Sequence, residues 1–419
     1  MTANQGRYCN GDPFVVNLAA GAGVSFSSIT PASADVSGRR TNGASLNYGN
    51  GGGSTGPADQ GLDGYVPAAG LYITYDAADN VDPGKTGSPL AFAAGTEGTI
   101  LKAVSTTTPD AAQNGRDRIN FIGCMTVCAV EPPTDAFRPG VSASSKVSNW
   151  TEADLNLGNL RNLALPGSAP AATNELLKQR WPLMCWTVNN DAGRTARGVL
   201  NHEDYGPNIV RDTATAILLM NCNIDSTVKR NLAVAVTQRG IDVYERALEG
   251  GNWDNGGGGT GNGRKLALAF AAHMLDDAGM KAYCDKTSHA IWTEDQQLVY
   301  VSAGDVAAYD YEVADEGMPE WQISTATPSR SETTGYRQVN MNWIPGAALA
   351  MQLIGGKTVW ANDALFDYAD RTMERTYFNG SGTSQWALSL SGTNSPPQFH
   401  RDMWASYRSA AGMPAIWNW

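Results

Sequence analysis

The pattern of apolar and polar positions changes character near residue 150. Before it, apolar residues come in short bursts, Phe14-Val15-Val16, Leu71-Tyr72-Ile73-Thr74-Tyr75 and Thr99-Ile100-Leu101, set among Gly, Ser, Thr, Ala and Pro. Bursts of that length between turn formers predict strands, and no window there keeps a helical period. The expectation is a small β-rich N-terminal domain of sandwich type, with a glycine-dominated loop over 47–56. The run 129–148 carries three prolines and little apolar content, which suits a linker and divides the chain into domains 1–140 and 141–419.

Beyond it, 208–220, 227–248, 264–275, 344–354, 363–377 and 398–410 read as helices. Within 227–248, Leu232, Val236, Val243 and Ala247 form one stripe of a 3.6-residue period. Two segments differ, because LALAFAAHML (266–275) and GAALAMQLI (346–354) are apolar nearly all round and rich in alanine. Such helices must be buried on every side, and their small side chains admit close neighbours. Recurring helices of these two kinds predict antiparallel hairpins closed into an (α/α) barrel or toroid. The fold class expected is therefore mainly α, preceded by a β-rich part.

Composition narrows the function classes. The 419 residues include 30 Lys and Arg against 41 Asp and Glu, a net charge of −11, and only 17% are charged. A generally positive surface for nucleic acid is excluded, so a polyanion would need a local basic site. No apolar run reaches the ~18 residues of a membrane span. The start MTANQGRYCNGDPF has neither a basic nor an apolar signal region. The expectation is a secreted or periplasmic protein whose signal peptide this chain lacks, with cytoplasmic or phage-associated settings left open. Six cysteines are too sparse for a disulfide scaffold and lack zinc spacing, and Cys124 and Cys128 read as buried thiols, with one disulfide as the alternative in a secreted protein.

Three segments carry candidate chemistry. In GGNWDNGGGGTGNGRK (250–265), Gly256, Gly258 and Gly261 satisfy G-x-G-x-x-G, but the preceding segment reads as helix, so the dinucleotide fingerprint lacks its strand. Arg264 and Lys265 then open a helix whose dipole they oppose, a placement that suggests an anionic ligand. In GYRQVNMNW (335–343), Tyr336, Arg337, Asn340, Asn342 and Trp343 combine a hydroxyl, a cation, amide donors and a stacking surface, an inventory fit to bind a sugar carboxylate and move a proton. In NHEDYGP (201–207), His202 and Tyr205 stand just ahead of the helix bearing Arg211. His273 reads as a core residue inside an apolar helix. Glu294, Asp295 and Tyr300 offer two carboxylates and a hydroxyl. The six acids from Asp305 to Glu320 read as a solvated face, with a structural calcium site as the alternative. No other metal or cofactor is expected.

Taken in order, NGDPFVV (10–16), AFRPG (136–140), YGPNIVRD (205–212), QRGIDVYE (238–245), GNGRK (261–265), EDQQLVYV (294–301) and GYRQVN (335–340) with Trp343 resemble (α/α)-toroid polysaccharide lyases of the alginate and glucuronan lyase type. Here the β-rich part precedes the helices, whereas lyases of that architecture place their sandwich after the toroid. The resemblance implies β-elimination on a uronic-acid polymer, an acidic polysaccharide. It assigns Tyr336 as base and acid, Arg264, Asn340 and Asn342 to carboxylate neutralisation, and His202 to proton transfer or substrate clamping. Lys265, Arg337, Tyr205, Arg211 and Tyr300 become substrate-binding neighbours, and Trp253 and Trp343 would stack on sugar rings. Two other classes stay open: a glycoside hydrolase using Glu294 or Asp295 with Asp254 or Glu203, and a non-catalytic carbohydrate-binding phage or surface protein. Oligomeric state is not legible.

Overall fold

The computed structural model describes residues 4–36, 39–47, 81–110, 116–180, 205–253, 259, 261–322, 335–373 and 395–409. The strand expected over 71–75 and most of the glycine loop expected over 47–56 lie outside them. Strands are β1 (Gln5–Arg7), β2 (Pro13–Val16), β3 (Val24–Phe26), β4 (Ala34–Val36), β5 (Arg39–Thr41), β6 (Ala44–Leu46), β7 (Leu90–Phe92), β8 (Gly98–Asp110), β9 (Arg116–Cys128), β10 (Leu298–Tyr300) and β11 (Pro319–Trp321). The helices are α1 (Pro83–Thr86), α2 (Ala172–Gln179), α3 (Gly206–Met220), α4 (Ser226–Leu248), α5 (Lys265–Met274), α6 (Ala278–Cys284), α7 (Thr293–Gln297), α8 (Ala303–Ala308), α9 (Gly335–Asn340), α10 (Ile344–Leu353), α11 (Lys357–Trp360), α12 (Ala364–Met373) and α13 (Gln398–Tyr407). The chain is thus a mixed α and β protein with strands concentrated at the N-terminal end. It divides into two compact units. One comprises 1–155, 177–204 and 241–251, the other 156–176, 205–240 and 252–419.

The first unit is built on a five-stranded mixed sheet in the order β1-β2-β9-β8-β6. β8 and β9 form its long hairpin, with register shifts after Val104 and Ser105, and β2 joins β9 in parallel, Phe14 opposite Thr126. Period-two alternation puts Ile100, Met125 and Val127 on one face, where they pack on Phe26, Leu90 and Phe92 of the separate β3–β7 pair. Cys124 and Cys128 are free, buried thiols. Burial pushes the Cys128 thiol up to about 11.

The proline-rich stretch expected to be a linker is buried over 136–143. Charge explains it. Arg138 is 1% exposed and forks onto Asp242 of α4, Nη1 to Oδ1 at 2.8 Å and Nη2 to Oδ2 at 2.7 Å, while its Nε donates to Asp12 at 2.8 Å. The Val141 N–H also donates to Asp242, at 3.1 Å. A guanidinium taken out of water requires such partners, so the strap follows its arginine inside. Lys146 completes the turn, its ammonium donating to the carbonyls of Gly140, Val141 and Ala143.

In the second unit, α10 is buried along its whole length and α5 everywhere except His273, as their all-round apolar sequences predict. α10 packs against α3, α11, α12 and α13, and α5 against α3, α6 and α11. Small residues set the spacing: a Cβ on Gly346 would lie 2.2 Å from Nδ1 of His400. That ring, on α13, is 1% exposed and its Nε2 meets the Thr215 hydroxyl at 2.7 Å. Burial, reinforced by the Arg211 charge, pushes the ring down to about 3. His273, by contrast, is half-buried, with Nε2 on the Ile354 carbonyl at 2.6 Å. Among the described residues, no helix is long and apolar enough to cross a membrane.

Arg138→Ala is expected to cost about 3–5 kcal/mol in urea unfolding, because it strands Asp242. Arg138→Met with Asp242→Leu is expected to recover most of that loss. Between pH 6.5 and about 3 the unfolded chain binds a proton that native His400 refuses. Stability should therefore fall with acidification in that window, by up to about 1.4 kcal/mol per pH unit, and His400→Gln should remove this part of the slope.

Candidate functional site

The site is built where α5 begins, inside the second unit. Gly263 has φ +104°, a conformation that excludes most side chains, and it turns the chain so that Arg264 caps α5 and Lys265 is its first residue. A cation there opposes the helix dipole and, at 0% exposure, has no water to compensate. The compensation is internal. Lys265 Nζ lies 2.6 Å from both carboxylate oxygens of Asp295 on α7 and 4.6 Å from the centre of the Trp360 ring. The anion that Lys265 meets is thus supplied by the chain itself. Asn362 holds the pair in place, donating to Asp295 at 3.2 Å and to the Leu298 carbonyl at 3.0 Å.

Beside the ion pair runs a neutral network. The Asn262 amide donates to Gln297 Oε1 at 3.2 Å and to Asn340 Oδ1 on α9. Asn340 Oδ1 also accepts the Trp343 indole N–H at 2.8 Å, and Arg264 Nη1 donates to the Asn262 carbonyl at 2.6 Å. The Gly263 N–H donates to Glu294 Oε1 at 2.8 Å. Glu294, Arg264, Asn262 and Asn340 all have 0% exposure. Burial pushes the Glu294 carboxyl up, and pushes Asp295 up against the pull of Lys265. Close glycines make the fit: a Cβ on Gly261 would stand 2.0 Å from Thr293 Oγ1 and 2.4 Å from the Trp253 carbonyl. Trp253 and Trp292 stack beneath, ring centres 5.0 Å apart and 6° from parallel.

The segments singled out in the sequence are therefore partly united. Arg264, Asn340 and Trp343 share one network, and Lys265 stands beside it. Trp253 is fully buried against Trp292, with no ring face open to a sugar. Asn342 donates to Asn208 at 3.0 Å, which also accepts from Arg211 at 3.2 Å, and Arg211 is further engaged with Asp212. Tyr205 precedes α3 beside Gly259, where an added Cβ would lie 2.9 Å from its hydroxyl. Arg337 turns elsewhere, to Glu320 at 3.2 Å and the Trp321 carbonyl, and Arg371 reaches the same carboxylate. Tyr300 is separate and 38% exposed, its hydroxyl donating to Asp367 at 2.6 Å. Tyr336 lies on α9, but its side chain, like the whole of His202, Glu203 and Asp254, falls outside the described residues.

The acidic run 305–320 is only in part a solvated face. Asp310, Glu312 and Glu316 are exposed, whereas Asp315 and Glu320 are buried, Glu320 because two arginines need it. No group of three or more metal-ligating side chains is assembled among the described residues. Asn208, Asn262, Gln297 and Asn362 are not singled out from the sequence, since nothing in an isolated amide marks it as internal. Position within GNGRK and EDQQ was the available signal for Asn262 and Gln297.

No protein-family model matches this chain, and neither a curated protein nor a solved structure matches it significantly.

Gly261→Ala is expected to destabilise the protein by about 1–3 kcal/mol through overpacking against Thr293 and Trp253. Gly304→Ala in exposed α8, where the nearest atom is Ser302 Oγ at 3.4 Å, should instead be neutral or stabilising by up to about 1 kcal/mol. Thermal unfolding of both variants checks the contrast.

Proposed function

We propose that this protein is a polysaccharide lyase that cleaves a uronic-acid polymer of alginate or glucuronan type by β-elimination, its helices forming an (α/α) toroid and its strands a sandwich-like domain. The observation that supports it is convergence. Asn262 and Asn340 stand 78 residues apart in sequence and hydrogen-bond directly, bringing GNGRK and GYRQVN to one place. That place combines a guanidinium, carboxamides and an indole, screened from water, which is the environment in which fixed donors stabilise developing negative charge most strongly.

In this reading Arg264 and Asn340, with Asn342, take up the charge that spreads onto the substrate carboxylate as C5 loses its proton. Tyr336, one residue before Arg337 on α9, removes that proton. His202 keeps the clamping role assigned from the sequence. Lys265 changes role: neutralised by Asp295 at 2.6 Å, it anchors the start of α5 and leaves carboxylate binding to Arg264. Arg337, committed to Glu320, likewise steadies α9.

One observation favours a second reading. Glu294 is a fully buried carboxyl whose Oε2 has no hydrogen-bond partner among the described residues and whose pKa burial raises, the kind of acid a glycoside hydrolase uses, with Asp295 held as a carboxylate beside it by Lys265. Product chemistry separates the two. Incubation with alginate and glucuronan is expected to generate the ultraviolet absorbance of a C4=C5 unsaturated uronide, whereas hydrolysis yields reducing ends without it. Tyr336→Phe is expected to lower kcat by about 10²–10⁴-fold. Full activity in that variant removes the tyrosine assignment, and reducing ends without unsaturation replace elimination by hydrolysis.

A further inference from the structure

Two adjacent acids at the start of α7 live in opposite environments. Asp295 gives both oxygens to Lys265 and a further bond to Asn362, so its charge is met on every side. Glu294 is equally withdrawn from solvent, at 0% exposure, but its carboxyl is met only by backbone N–H groups, that of Gly263 on Oε1 at 2.8 Å and its own. Its other oxygen, Oε2, has no hydrogen-bond partner among the described residues. Asn262, next to Gly263 in the chain, likewise keeps an unpartnered Oδ1. A buried carboxylate with a bare oxygen would carry an uncompensated charge, whereas a carboxylic acid there carries a proton with nowhere inside the protein to go. Pairs of carboxyls pushed into such different environments mark a division of labour between a fixed ion and a proton donor.

We propose that Glu294 is the catalytic acid of the site, its Oε2 delivering a proton to the glycosidic oxygen that leaves when the polymer is cleaved. The assignment rests on the elimination reading and moves its acid role from Tyr336 to Glu294. As the base takes the C5 proton, the C5–H electron pair becomes the C4=C5 double bond and the C4–O4 bond breaks. O4 takes its proton from Oε2. The carboxylate left behind keeps its bond from the Gly263 N–H and has the Lys265 ammonium nearby, and water restores its proton before the next turnover. Tyr336 is then relieved of returning the proton and acts as base alone. Because Glu294, Asn340 and Arg264 are all screened from solvent, a polymer reaches them only when the protein opens there.

The test uses the full chain and Glu294→Gln, which keeps an oxygen for the Gly263 N–H and removes only the acid. Polymer cleavage should fall by about 10²–10⁴-fold in kcat with KM little changed. A uronate oligomer bearing an aryl ether at O4, whose leaving group needs no proton, should react at close to the wild-type rate. Infrared spectra of the wild type at neutral pH should show a protonated-carboxyl band that Glu294→Gln lacks, and Glu294→Asp should shift it if the Gln chain does not fold. Wild-type polymer cleavage by Glu294→Gln overturns the proposal. So does an equal loss on both substrates, or absence of the band. A wild type that releases reducing ends without unsaturation overturns elimination alone, and the same comparison then tests Glu294 in hydrolysis. If no uronate polymer is cleaved, the lyase reading falls and the acid role of Glu294 falls with it, whatever the infrared band shows.

Discussion

A charge removed from water must be met within the protein, and in each unit one buried cation dictates where neighbouring segments lie. In the first unit it is Arg138. Its fork onto Asp242 and its bond to Asp12 tie the strap 136–146 to the end of α4 and to the turn between β1 and β2. In the second it is Lys265, whose pairing with Asp295 holds α7 and Asn362 against the first turn of α5. Neither pair is a surface decoration worth a few tenths of a kcal/mol. Breaking either strands its partner in a medium that cannot solvate it.

The second ion pair also shapes the chemistry around it. By neutralising Asp295 it leaves Glu294 as the acid of the neighbourhood that no cation fully claims, and it supplies a nearby positive field. The amides of Asn262, Gln297 and Asn340 form a neutral frame on the other side, orienting Trp343 and the Arg264 turn. Packing makes this frame tight. Gly261 approaches Thr293 and Trp253 more closely than any side chain allows, so the polar groups have little room to rearrange. A buried polar cluster packed this closely is a demanding thing to fold, because each of its groups must find a partner inside the protein.

Much of this was legible from residue pattern. The apolar, alanine-rich stretches 266–275 and 346–354 announce helices buried on all sides, because a helix with no polar face has no stable position at a surface. The short bursts near 14–16 and 99–101 announce strands for the corresponding reason. The unusual placement of two cations at the start of α5 marked the site, although it pointed to an external anion where the fold supplies Asp295. Arg337 shows the limit most clearly. It sits between Tyr336 and Asn340 in sequence, yet its guanidinium turns away to Glu320, because a helix sends neighbouring residues to different faces.

What the sequence by itself determined is therefore the kind and rough extent of the longer helices and of the strands at 14–16 and 99–101, the change of texture near residue 150, and which short segments are chemically rich. These follow from local periodicity and from turn chemistry, which act over a few residues. Only the tertiary structure decided that 136–143 is buried, that Lys265 belongs to Asp295, that Trp253 is covered by Trp292, and that Asn262 meets Asn340. Each of those depends on which distant partner shares the same low-dielectric volume. Pairing across 30 or 78 residues is set by packing and by the need to satisfy buried polar groups, neither of which leaves a local mark in the chain.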